Sequence, residues 1–91
     1  MKYLVIIEKG AKNYSAYSPD VSGCAATGKS VEETLKNMRE ALIFHFEAMI
    51  KDGEDIPVPK SLNYYIEKTD EISSEDILAH INLEIPEPAF A

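Results

Sequence analysis

Cysteine occurs once in this 91-residue chain, at Cys24. A single thiol excludes an internal disulfide framework and makes a reducing, cytoplasmic setting the default. Long hydrophobic runs are missing too: no stretch approaches the ~18 apolar residues of a membrane span. The opening MKYLVIIEKG has a short apolar run without a small-residue cleavage site after it, so it reads as a strand rather than a signal peptide. Basic residues are scarce, nine against sixteen acids, for a net charge of −7. They are also dispersed. Residues 1–30 carry +2, residues 31–60 carry −3 and residues 61–91 carry −6. Nucleic-acid binding needs a concentrated basic patch, so direct contact of the isolated chain with DNA or RNA is not expected. An acidic surface suits a basic partner, and equally serves solubility alone. With no Cys pair and no His-rich spacing, the residues give no zinc signature. No repeat, low-complexity tract or second domain is visible, and 45% hydrophobic with 27% charged residues is ordinary for one globular domain spanning 1–91.

What is present is organised around Ser30 to Gly53, SVEETLKNMREALIFHFEAMIKDG. Ser30 with Glu33 three residues on makes a capping box, and Glu32 and Glu33 place negative charge at the positive end of the helix dipole. Gly53 suits the left-handed residue that ends a helix, and Pro57 follows. At about 100° per residue, Val31, Leu35, Met38, Leu42, Phe46 and Met49 form one stripe that Ile43 and Ile50 widen. The spacing predicts an amphipathic helix of about six turns covering something flat and apolar.

Around it, Lys2 to Lys9 reads as a central strand, apolar on both faces. Gly10 to Asn13 is a turn, Tyr14 to Tyr17 a short second strand, Ser18 to Gly23 a turn cluster, and Cys24 to Gly28 a third strand whose small residues allow close approach. Pro57 and Pro59 keep residues 54–60 irregular. Residues 61–71 are ambiguous, although Leu62, Tyr65 and Ile66 fit one helical turn. Ile77 to Ile85 alternates as a strand with Ile77, Ala79, Ile81, Leu83 and Ile85 inward. The expected fold is α+β in the order β-β-β-α-β, one long helix on a four-stranded sheet of order 3-2-1-4. A parallel pairing of the last strand with the first would require a right-handed crossover. One sheet face takes the helix. The other is expected to lack cover, which points to a homodimer or a dimer-based oligomer, or to a protein partner.

Several of these residues resemble the HicB-type antitoxins. The match runs through Tyr3-Leu4-Val5-Ile6-Ile7-Glu8, Tyr14-Ser15-Ala16-Tyr17, Pro19-Asp20-Val21-Ser22-Gly23-Cys24, Gly28, Ser30-Val31-Glu32-Glu33, Asn37, Glu40-Ala41, His45, Gly53 and Ile56-Pro57-Val58-Pro59. Ser22 stands where many members have proline. The resemblance implies a partial ribonuclease-H-like fold and a non-catalytic antitoxin that inhibits a small, basic, RNA-cleaving HicA-type toxin. Many members carry a C-terminal DNA-binding domain. This chain ends at Ala91 without room for one, so DNA binding and autorepression are not expected.

Other chemistry is weighed against this. Ribonuclease-H-type catalysis needs carboxylates converging on divalent metals. The middle of the first strand holds Val5, Ile6 and Ile7, while Glu8, Asp20 and Glu40 fall on separate elements. No cofactor, metal or catalytic residue is assigned. Cys24 reads as a packed thiol, and His45 and His80 as structural or surface residues. Candidate partner-contacting residues are Phe44, an aromatic amid charge on the helix's polar side, and Tyr64 and Tyr65 as apolar anchors. Glu67, Asp70, Glu71, Glu75, Asp76, Glu84 and Glu87 are the acids that could face a basic surface, with Glu71, Glu75 and Asp76 the leading three. The alternative function is a stand-alone oligomeric or small-ligand-binding domain with no toxin partner.

Overall fold

In the computed structural model, residues 1–68 and 72–84 are described. Four strands, β1 (Lys2–Lys9), β2 (Tyr14–Ser18), β3 (Val21–Gly28) and β4 (Ile77–Asn82), form one sheet in the order β3-β2-β1-β4. Two helices, α1 (Val31–Lys51) and α2 (Leu62–Lys68), complete the described elements. The α+β order expected from the sequence is the one observed.

α1 begins and ends as its sequence dictates. The Ser30 hydroxyl accepts a hydrogen bond from the Glu33 N–H at 3.0 Å, satisfying one orphan donor of the first turn. At the other end Gly53 has φ +74°, Glu54 N–H reaches Met49 O at 2.8 Å and Gly53 N–H reaches Ile50 O at 3.1 Å. That pair of bonds is the Schellman arrangement, and it needs the left-handed residue that glycine supplies without strain.

The buried line of α1 is Thr34, Met38, Leu42 and Phe46. It packs on the β1 side chains Tyr3, Val5 and Ile7, with Val21 and Cys24 of β3, Ile56, Ile81 and Leu83 closing the cluster. Burying each large apolar side chain contributes about 1.5–3 kcal/mol. α1 lies chiefly over β3 and then β2. Its flank on the β4 side is therefore only partly covered, and Ile43 and Ile50 remain 39% and 41% exposed rather than widening the buried stripe.

Three local expectations change. β3 starts at Val21, not Cys24, because only Pro19 and Asp20 form the turn. The extra residues are absorbed as a register shift at Tyr17/Ser18, where Gly23 takes φ +79°. Residues 62–68 form a helix. Ile77 is 38% exposed instead of buried, since α1 lies over β3 and β2 rather than over β4; Ile85 lies outside the described residues.

β4 pairs with β1 as expected, from Lys2↔Asn82 to Ile7↔Ile77, and the pairing is antiparallel. The reason is the path of residues 52–68 and 72–76. α1 returns the chain to the Tyr3 end of β1, where the Tyr3 and Phe46 rings lie 5.1 Å apart. The chain then passes Ile56, buried in the first core, and crosses to the second sheet face. It re-enters the sheet from the Ile7 end. On that second face Leu4 and Ile6 are wholly buried under Tyr65, with Leu62, Ile72 and Tyr17 packed around them. The face expected to be bare over β1 is thus covered by α2 and Ile72. The uncovered-face argument for self-association falls with it.

Candidate protein interface

Asp20 joins three elements. Its Oδ1 accepts the Tyr65 hydroxyl proton at 2.5 Å and the Lys60 N–H at 3.0 Å, tying the β2–β3 turn to the chain entering α2. Nearby, the Tyr3 hydroxyl donates to Pro57 O at 2.7 Å; proline lacks a donor but keeps its acceptor. Burial, and secondarily the Asp20 charge, push the Tyr3 phenol up to about 12. Tyr65 is raised further, first by burial and then by its hydrogen bond to Asp20. Both phenols stay neutral at physiological pH and act as donors. The sequence marks Asp20 only as a turn former, and no local signal shows that its partners lie 40 and 45 residues away.

Tyr65, expected to anchor a partner, is 8% exposed and forms the lid of the second core. That expectation is corrected, because a ring so packed offers a partner almost no area. Tyr64 is different. It is 41% exposed, stacks edge-on against Tyr65 with centroids 5.1 Å apart, and has the Lys60 ammonium 5.3 Å from its ring centre. Its orientation is therefore fixed while its outer edge faces solvent. Phe44 is 76% exposed on the outer side of α1. Glu75 is exposed, whereas Asp76 is half-buried and accepts the Ser73 N–H at 2.9 Å through Oδ2, a turn-stabilising role. Glu71 lies outside the described residues, as do Asp70 and Glu87.

A groove that the sequence reading missed runs between the flank of α1 and the end of β4. It encloses about 530 Å³ and is lined by Arg39, Ile43, Phe46, Ile50, Leu83 and Glu84 among others. Arg39 closes one side by donating to Asn82 O at 3.2 Å. Exposure of Ile43 and Ile50 is the mark of this groove, and it follows from the offset of α1 toward β3.

Groups with chemical potential are separately placed. Cys24 is buried at the start of the small-residue run, and burial pushes its thiol pKa up, away from the thiolate needed for attack. His45 is half-buried beside Phe46, with ring centroids 6.3 Å apart, and His80 is exposed on β4. Among the described residues no group of three or more His, Cys, Asp or Glu is placed to hold a metal ion, and no helix is long and apolar enough to cross a membrane. What the surface offers is contact area with oriented aromatic and acidic groups.

Known proteins with this pattern are consistent with one another. The family model described as "HicB_like antitoxin of bacterial toxin-antitoxin system" matches residues 3–87. An uncharacterized 14.9 kDa protein from the rep-hol intergenic region of Haemophilus phage HP1 is 38% identical over 66 residues, covering 72% of this chain and 50% of that protein. The chain thus spans about half the length of that relative. A UPF0150 protein of Thermoplasma acidophilum is 40% identical over 58 residues, covering 63% of this chain and 84% of its own. Among solved structures, a chain of the HicA3 and HicB3 toxin-antitoxin complex superposes with a TM-score of 0.76 at 30% identity, over 93% of this chain and 100% of that one. The N-terminal domain of the Burkholderia pseudomallei antitoxin HicB gives 0.78 at 23% identity, again over 93% and 100%, a likeness of fold.

Proposed function

The chain belongs to the HicB-like antitoxin family, and from that premise we propose that it is a non-catalytic antitoxin. It binds a small RNA-cleaving toxin of the HicA type and holds it inactive by covering the surface that would engage RNA. The observation that carries this reading is the family match over residues 3–87, joined by the likeness to a chain from a toxin-antitoxin complex. The surface chemistry supports it. A toxin that handles RNA presents positive charge, and this chain carries −7, most of it after residue 60. Glu75, with Glu71 and the half-buried Asp76, accelerates encounter with such a surface, an effect that salt weakens. Steering sets the on-rate rather than the residence time, so Phe44 and the oriented edge of Tyr64 supply the apolar anchors. The protein needs no RNA contact of its own for this task.

The test is co-expression with a short basic protein encoded by the neighbouring reading frame. The two should co-purify, and the basic protein alone should cleave RNA and stop growth. Adding this chain should restore both RNA integrity and growth. A neighbouring protein that neither binds this chain nor cleaves RNA would overturn the proposal.

A further inference from the structure

We propose that the groove between α1 and the end of β4 is a peptide-binding site. It is built for an extended segment with an acidic side chain, an apolar one two residues on and a basic one two residues beyond that. This site is independent of the toxin reading, and its character follows from how its two walls run. Thr34 lies against Gly28 at the end of β3, and the Phe46 ring lies against Tyr3 at the start of β1. α1 is therefore antiparallel to β1. β4 is antiparallel to β1 as well, so both walls of the groove run the same way. Arg39 donates to Asn82 O at 3.2 Å, which fixes one end. Glu47 and Glu84 come later on their own walls and lie toward the other end.

The groove is dipolar as a result. Arg39 is the only arginine in the chain, and among the described residues its guanidinium bonds to no carboxylate, only to Asn82 O. The rest of its donor fork is open, a geometry that suits an incoming carboxylate. Glu47 and Glu84 are exposed at the far end and suit a cation. Between the ends the floor is apolar: Ile43 and Ile50 are half-open to solvent, and the buried Phe46 and Leu83 complete it. A volume of about 530 Å³ lies within the usual range of ligand sites.

Spacing selects the occupant. Arg39 and Glu47 stand on one helix, and the rise between them is about 12 Å. An extended chain advances about 3.3 Å per residue, so side chains four apart span about 13 Å and share a face with the one midway. Acid, apolar group and base at those three positions meet Arg39, the Ile43 and Ile50 floor, and the Glu47 and Glu84 end in turn. A purely apolar ligand leaves both ends unused. A ligand of one charge sign is repelled at one of them.

The experiment is an NMR titration of the full 91-residue chain, read at its methyl groups, with the peptide acetyl-Glu-Ser-Leu-Ser-Lys-amide. The Ile43, Ile50 and Leu83 methyl signals should shift and saturate on the order of 1 mM, the affinity that one buried apolar side chain and two exposed charge pairs provide. Replacing the peptide's acid by lysine should weaken binding at least about threefold at low salt. That order runs against what a net charge of −7 would itself favour. Arg39→Glu, with an unchanged circular dichroism spectrum, should reverse it and take the two-lysine peptide more tightly. Lys12→Glu, the same charge change outside this groove, should keep the wild-type order. Equal or tighter binding of the two-lysine peptide by the wild type, shifts confined to other methyls, or an Arg39→Glu variant that keeps the wild-type order would overturn the proposal. So would shifts of the same methyls on raising protein concentration without peptide, which would assign the groove to a second copy of the chain.

Discussion

Replacing Gly28 by alanine tests how α1 is held on the sheet. Gly28 ends β3 two residues before the helix cap, and it is buried. A Cβ there would lie 2.6 Å from Thr34 Oγ1, 2.7 Å from Thr34 N and 2.9 Å from Thr34 Cα. Ordinary contacts begin near 3.4 Å, so the helix start must retreat by several tenths of an ångström. Two of the three obstacles are backbone atoms, and they cannot rotate aside. Thr34 is itself wholly buried, with its hydroxyl donating to Ser30 O at 2.7 Å, so retreat also strains the first turn. Overpacking of this kind costs about 1–3 kcal/mol, and a rigid obstacle places Gly28→Ala in the upper half of that range. In a domain of this size each kcal/mol lowers the melting temperature by about 4–8 °C, so a fall of roughly 8–24 °C follows. Gly53→Ala is the control. It has open space around the Cβ but φ +74°, and should lose only about 1 kcal/mol from backbone strain. Thermal unfolding by circular dichroism compares the two. If Gly28→Ala melts within about 2 °C of the wild type while Gly53→Ala is destabilised, close helix–strand approach does not hold α1 in place.

Three further outcomes follow from named contacts. Tyr65→Phe removes the donor to Asp20 Oδ1 and should cost about 1.5–3 kcal/mol in urea denaturation, since a bond to a charged acceptor is lost from a lid that is otherwise unchanged. Because Tyr3 titrates at 10.0 when unfolded and about 12 when folded, its stabilising contribution is complete below pH 10 and disappears as pH rises through 12. Tyr65 shifts the same way, so the unfolding free energy from urea denaturation should be flat near neutrality and then fall by at most about 1.4 kcal/mol per pH unit for each phenol. Reversing Glu71 and Glu75 to lysine should slow toxin association roughly tenfold at low salt, flatten its salt dependence and leave dissociation nearly unchanged, as stopped-flow binding would report. Reversing Asp76 as well would confound that measurement, because its carboxylate caps the Ser73 N–H.

Much of the architecture was legible because it is encoded locally. The capping residues of α1, its buried line and Gly53 all act within a few residues of one another, and periodicity reads such signals directly. Strand order was legible through β1, whose apolar residues on both faces mark a central strand flanked by β2 and β4. Cover of the second face was not. It comes from Tyr65 and Leu62 on a seven-residue helix too short to show a period, with Ile72 beyond it, and Tyr65 is held by the Asp20 contact across 45 residues. The same non-local contact removes Tyr65 from the candidate interface and leaves Tyr64 beside it. Phe44 was legible as outward-facing because helical phase alone decides it. The groove was not, since Ile43 and Ile50 belong to the apolar stripe by phase and are uncovered only by the sideways offset of α1.

Covering both faces of β1 has a consequence for how such a chain binds. Leu4 and Ile6 are sealed by α2, and Tyr3, Val5 and Ile7 by α1, all wholly buried within one chain. The core therefore closes without a partner, and binding does not have to supply the free energy of folding. A binder already ordered in its bound shape avoids the ordering cost that a disordered inhibitor bears, and rigid contact groups lose little entropy on docking. Tyr64 fits that description, clamped between Lys60 and Tyr65 with one edge in solvent. Among the described residues, the surfaces open to partners include the outer side of α1, the α2 side around Tyr64, and the groove between α1 and the end of β4. Phe44 and Leu78 lie on different elements, one on the outer side of α1 and the other on the free side of β4. Contacts made through Phe44 and through Leu78 therefore draw on different side chains and can be separated by mutation.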